Sequence, residues 1–100
     1  MRRLTDIQVG YLEGLHNGRR ASELALERGV SQQSTAESLR RVCIKLGVHT
    51  VPQAVAVWSR HKALLDVADL IDAANPKTNP NPTLTVLVQD CRALAERLIP

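Results

Sequence analysis

The sequence predicts an all-α chain of five helices. Three observations carry this: cap residues at segment starts, glycines just past periodic segments, and apolar residues recurring three and four apart. Thr5-Asp6-Ile7-Gln8 has capping-box spacing, and Ile7, Tyr11, Leu12 and Leu15 then share one helical face until Asn17-Gly18 stops it. A short second helix runs from about Arg20 to Arg28, with Leu24 and Ala25 inward, and Gly29 breaks it. Ser31 caps a third helix whose inward stripe is Thr35, Leu39, Val42, Cys43 and Leu46, and Gly47 ends it. Thr50-Val51-Pro52-Gln53 is a second capping box. It opens an extended fourth helix from about Val51 to Ala74, with Ala54, Val57, Trp58, His61, Leu65 and Ala68 on one face. The Asn-Pro pairs between Asn75 and Pro82 read as a loop at 75–82, and Asn81-Pro82 suits the start of a fifth helix. There Leu84, Leu87, Val88, Cys91, Leu94, Ala95 and Leu98 keep helical spacing too long for the strand that Thr83-Leu84-Thr85-Val86 would otherwise allow.

Size and composition bound the function. One hundred residues with one Trp, one Tyr and no Phe make a small domain with a thin aliphatic core, or such a domain with an arm. No apolar run approaches the roughly 18 residues that span a bilayer, and the N-terminus lacks the apolar stretch of a signal peptide. The expectation is a cytoplasmic protein with no membrane partner. Cys43 and Cys91 lack metal-ligand spacing and read as free thiols. His16, His49 and His61 are ungrouped. Asp66, Asp69 and Asp72 share a helix side without converging ligands, so no metal and no cofactor is expected. With no paired nucleophile and base and no Gly-rich phosphate loop, the chain does not read as an enzyme. Charge is divided instead. Residues 1–62 carry ten basic and five acidic side chains, net +5, whereas residues 63–100 carry three and five, net −2. A basic first part points to an anionic partner, nucleic acid first.

The segment Leu24-Ala25, Gly29-Val30 and a Ser-capped amphipathic helix fits helix-turn-helix mechanics. Ala25 permits a close helix crossing, Gly29 takes the turn at positive φ, and Val30 is expected to plug the junction. Further residues sharpen this: Leu4-Thr5, Gly18, Glu23-Leu24-Ala25, Ser31, Lys45-Leu46-Gly47-Val48 and Gln53-Ala54. Through them the segment from about residue 4 to 58 resembles the LuxR-type (GerE-type) DNA-binding domain, with the KLGV run the most diagnostic. The resemblance implies a four-helix domain on duplex DNA, usually dimeric through its last helix, that regulates transcription in bacteria or bacteriophage. It also implies that the sensor domain of many members is absent, because Met1 lies just before the motif. The chain departs from the pattern at Arg20, where a Ser or Thr cap is common. That cap is expected to be missing or moved to Asn17 or Gly18.

The resemblance places the recognition helix at about 32–46. Gln33, Ala36, Glu37 and Arg40 are then the base-reading candidates. Arg40 suits guanine, Ala36 a thymine methyl, and Glu37 either a cytosine amine or an ion pair with Arg40 or Arg41. Phosphate candidates are Arg19, Arg20, Arg41, Lys45, Thr50 and Gln53. The expected organisation is a helix-turn-helix domain at 1–62 and a helical arm at 63–100. In the arm the apolar residues suit an antiparallel hairpin that pairs with a second copy. Trp58, Leu64, Leu65, Ala68, Ile71, Leu87, Cys91, Leu94 and Leu98 are the candidate dimer contacts. The expected partners are double-stranded DNA and a second copy. The competing reading is an adaptor that docks on RNA polymerase, a sigma factor or another regulator, with the acidic arm as its binding surface.

Overall fold

The computed structural model describes residues 3–99; Met1, Arg2 and Pro100 lie outside the described residues. Five α-helices follow in order: α1 Asp6–His16, α2 Ala21–Arg28, α3 Gln32–Leu46, α4 Val51–Ala74 and α5 Pro82–Leu98. No strand occurs among the described residues. The chain forms two compact units, Met1–Trp58 and Ser59–Pro100, and α4 contributes residues to both.

Local chemistry sets the helix ends. Thr5 Oγ1 accepts the Gln8 N–H at 3.2 Å while Gln8 Oε1 accepts the Thr5 N–H at 3.0 Å, so both halves of the first capping box form. Thr50 and Gln53 repeat it before α4, with Gln53 Oε1 also accepting the His49 N–H at 2.9 Å. Ser31 Oγ accepts the Ser34 N–H at 3.0 Å. The cap of α2 has not moved to Asn17 or Gly18. It stays at Arg20, whose guanidinium has no acceptor to offer, so only the Glu23 half forms, at 3.4 Å. At the other end of α2, Gly29 adopts φ +67°. Its N–H reaches Leu26 O at 3.2 Å and the Val30 N–H reaches Ala25 O at 3.1 Å. This is a Schellman ending, and it repeats at Gly47 and Val48 after α3.

In Met1–Trp58 the core has two joined parts. Leu12, Val42, Cys43 and Ala54 form one, with Leu4, Leu46, Val48, Val51, Val55 and Trp58 packed around them. Tyr11, Leu24 and Leu39 form the other. Leu12 and Val42 have no exposed surface, so truncating Leu12 to Ala costs about 2–5 kcal/mol. Two sequence expectations change. Ile7 is exposed, and the buried residue of that turn is Gln8, whose Oε1 accepts from both the Thr5 N–H and Lys45 Nζ. Val30 does not plug the α2–α3 junction; it is 42% exposed, because the Schellman turn carries it out beside Leu26.

In Ser59–Pro100 the second part of α4 and α5 form an antiparallel hairpin. His61 Nδ1–H donates to Ala95 O at 2.7 Å near one end. Asn75 closes the other, its amide donating to Thr85 Oγ1 at 3.1 Å and its Oδ1 accepting the Asn81 N–H at 2.8 Å. Ala68, Val88, Ala95 and Ile99 are buried. Among the residues expected to meet a second copy, Ala68 is corrected, since it is 0% exposed and has no surface to offer. Trp58 packs on the first unit's core and donates its indole N–H to Glu13 at 3.1 Å. Leu64, Leu65, Ile71, Cys91 and Leu98 are half-buried, while Leu87 and Leu94 are exposed.

Gly14 tests the packing. A Cβ there would stand 2.5 Å from a methyl of buried Leu24, which would have to shift within the core. Overpacking of this kind costs about 1–3 kcal/mol, against about 1 kcal/mol gained from replacing a helical glycine. Gly14→Ala is therefore expected to lower stability in urea unfolding. Gly10→Ala meets only the far end of the exposed Arg28 side chain, which can shift at little cost, and is expected to be close to neutral.

Candidate nucleic-acid interface

The buried stripe of α3 decides what its other side presents. Thr35, Leu39, Val42 and Cys43 are buried, so Gln33, Ala36, Glu37, Arg40, Arg41 and Ile44 all face solvent. Thr35 fixes the rotation of the helix. Its hydroxyl donates to Ser31 O at 3.3 Å and lies 3.5 Å from the Tyr11 hydroxyl. The Arg28 guanidinium in turn sits 4.8 Å from the centre of the Tyr11 ring, a cation–π contact. Burial pushes the Cys43 thiol pKa up, so it stays protonated and serves as a small apolar group.

The charges on the exposed face are coupled. Glu37 Oε1 accepts from Arg40 at 3.2 Å and lies 3.9 Å from Arg41 Nε, one turn away on the same side. All three side chains are exposed, so each pair is worth only about 0–1 kcal/mol and exchanges readily with another anion. Arg19 pairs with Glu27 of α2. Arg20 carries no ion pair among the described residues, which leaves its guanidinium available to an incoming anion.

The remaining phosphate candidates are more committed. Lys45 is half-buried and donates to Gln8 Oε1 at 2.8 Å and to Arg3 O at 3.2 Å. Thus it ties the end of α3 to the start of α1, 37 residues away in the chain from Gln8. Thr50 and Gln53 are exposed, but their oxygens serve the α4 cap. An apolar groove of about 370 Å³ lies beside the start of α3, lined by Ser22, Glu23, Ala25, Leu26, Val30 and Gln32. This groove was not legible in the sequence, where Val30 reads as a plug of the α2–α3 junction.

Among the described residues no cluster of His, Cys, Asp or Glu could hold a metal ion, and no helix is long and apolar enough to cross a membrane. Comparison with family models, with curated proteins and with solved structures finds no match.

The Lys45 tether has a measurable cost of removal. Lys45→Met keeps the stem and deletes two hydrogen bonds from a half-buried cation, so a loss of about 1–2 kcal/mol is expected in urea unfolding. Gln8→Ala should cost more than Gln8→Leu, and the two sites should couple in a double-mutant cycle.

Proposed function

We propose that the chain is a sequence-specific, double-stranded DNA-binding regulator of transcription, of the LuxR-type helix-turn-helix class, acting as a homodimer. The observation that carries this reading is the outward face of α3. Gln33, Ala36, Glu37 and Arg40 stand on one exposed side, backed by the buried stripe of Thr35, Leu39, Val42 and Cys43. An α-helix so held fits a major groove, where Arg40 forks onto guanine O6 and N7 and Ala36 meets a thymine methyl. Before contact, Glu37 pairs with Arg40 and lies close to Arg41. On DNA it either keeps Arg40 aimed or accepts from a cytosine amine.

Phosphate neutralisation falls to Arg20, Arg41 and Arg19, in that order of availability, since Glu27 competes for Arg19. Lys45 acts indirectly, by holding α1 against the end of the recognition helix. No substrate chemistry is assigned to any residue. The adaptor reading gains support from the groove beside Leu26 and Val30, which offers an apolar seat for a side chain of RNA polymerase, a sigma factor or another regulator.

Binding to random and selected duplexes across a salt series tests the proposal. Three phosphate-binding arginines in each of two copies predict a slope of log affinity against log salt near about −5. Arg20→Ala should weaken all sequences alike, and Arg19→Ala should do so less. Arg40→Ala should relax preference at one base position, by about 1–3 kcal/mol of discrimination. Glu37→Gln should tighten binding to random DNA and flatten discrimination among sites. Absence of any binding at low salt would leave the adaptor reading in place of this one.

A further inference from the structure

The outer side of α3 carries one large apolar residue that the fold does not use. Leu39 and Val42 of this helix are buried and Leu46 is half-buried, but Ile44 is 66% exposed. It brings nothing to the core, and a β-branched residue lowers the helix propensity of the turn it occupies. Its direction follows from the buried stripe. Helical residues step by about 100°, so Ile44 lies within about 40° of Gln33, Glu37 and Arg40 around the axis, away from Thr35, Leu39 and Val42. It stands one turn beyond Arg40 and Arg41, at an angle between them.

The spacing extends a row. Gln33, then the level of Ala36 and Glu37, then Arg40, then Ile44 succeed one another at steps of three or four residues. Each step is about 4.5–6 Å along the axis. Helices laid in the major groove use that step, since the side chains of a zinc-finger helix three or four apart meet successive bases. The row therefore matches successive base pairs, and its last member is apolar. Thymine alone presents a methyl group in the major groove; guanine presents acceptors, adenine an acceptor and a donor, and cytosine a donor. The Ile44 side chain can pair with none of those polar groups and would strip them of water. Against thymine it buries methyl on methyl.

We propose that Ile44 is a base-reading residue that selects thymine, at the base pair next to the guanine taken by Arg40. The assignment rests on the proposed placement of α3 in a major groove and turns it into an order of bases. Along the helix, Gln33 suits adenine, the level of Ala36 and Glu37 a pyrimidine, Arg40 guanine and Ile44 thymine. The neighbouring charges favour DNA over a protein as the occupant. The side chains of Arg40, Arg41 and Glu37 are 68%, 65% and 46% exposed around Ile44. An apolar protein surface that covered Ile44 would bury these charges with it, at a cost in desolvation. In a major groove the two cations meet base and phosphate acceptors while the methyl contact forms between them.

Enrichment of bound duplexes from a random-sequence library, with the full natural chain, Ile44→Ala and Arg40→Ala, is the experiment. Ile44→Ala should keep the helical circular dichroism of the natural chain, because the site is exposed. The natural chain should enrich thymine next to guanine. Ile44→Ala should lose the preference for thymine and keep that for guanine, and Arg40→Ala should do the reverse. On the enriched duplex, uracil in place of that thymine removes only the methyl group. This should weaken the natural chain about fourfold, the effect of one buried methyl, and leave the affinity of Ile44→Ala unchanged. An Ile44→Ala chain that still prefers thymine, or a natural chain indifferent to uracil, would overturn the proposal and leave α3 as a reader of DNA. A library from which the natural chain enriches nothing would overturn both.

Discussion

The contact on which the first unit depends is that of α3 with α1, where Val42 and Leu12 are sealed from solvent. Around them Cys43, Ala54, Tyr11, Leu24 and Leu39 complete one continuous apolar support. This packing is what makes α3 a surface with a defined identity. A helix of that length has little stability alone, and nothing in its propensities chooses which residues face out. Burial of Thr35, Leu39, Val42 and Cys43 makes the choice, and Gln33, Ala36, Glu37, Arg40 and Arg41 are its consequence. The tether from Lys45 to Gln8 and Arg3 fixes the end of the same helix by polar means.

Electrostatics adds a second layer to that face. Arg40 and Arg41 share one carboxylate, and Arg19 has its own. These pairs are too exposed to hold the fold together, but they restrain long side chains that would otherwise lose more freedom on meeting a ligand. The same carboxylates oppose indiscriminate attraction to phosphate.

Much of this was legible from local chemistry. The starts at Thr5, Ser31, Thr50 and Asn81 and the stops at Gly29 and Gly47 depend on residues within one turn, and the stripe of α3 follows from its period. What depended on partners far along the chain was not legible. Gln8 looked like a cap and is also a buried acceptor for Lys45. Glu37 offered two readings, and the free chain realises the ion pair. Asp69 and Asp72 read as a solvated side until Arg92 of the other helix was placed across from them. In the hairpin, periodicity placed Ala68 on one α4 face with His61 and Leu65 but did not separate burial by α5 from contact with a second copy. The packing of α5 takes Ala68 inward and leaves Val67 and Leu70 outside. Val30 misled for a related reason, since the turn geometry and not its hydrophobicity decides where it points.

The central claim is that the exposed face of α3 is where this chain meets duplex DNA. Backbone amide shifts of the isotopically labelled chain, recorded as an unlabelled duplex is added, test it most directly. The account predicts that the largest changes fall on Gln33, Ala36, Glu37, Arg40 and Arg41, with smaller ones at Arg19 and Arg20, while Asp69, Asp72 and Arg92 stay still. Changes confined to the Ser59–Pro100 hairpin, or to the groove beside Leu26 and Val30 with α3 unmoved, would contradict it.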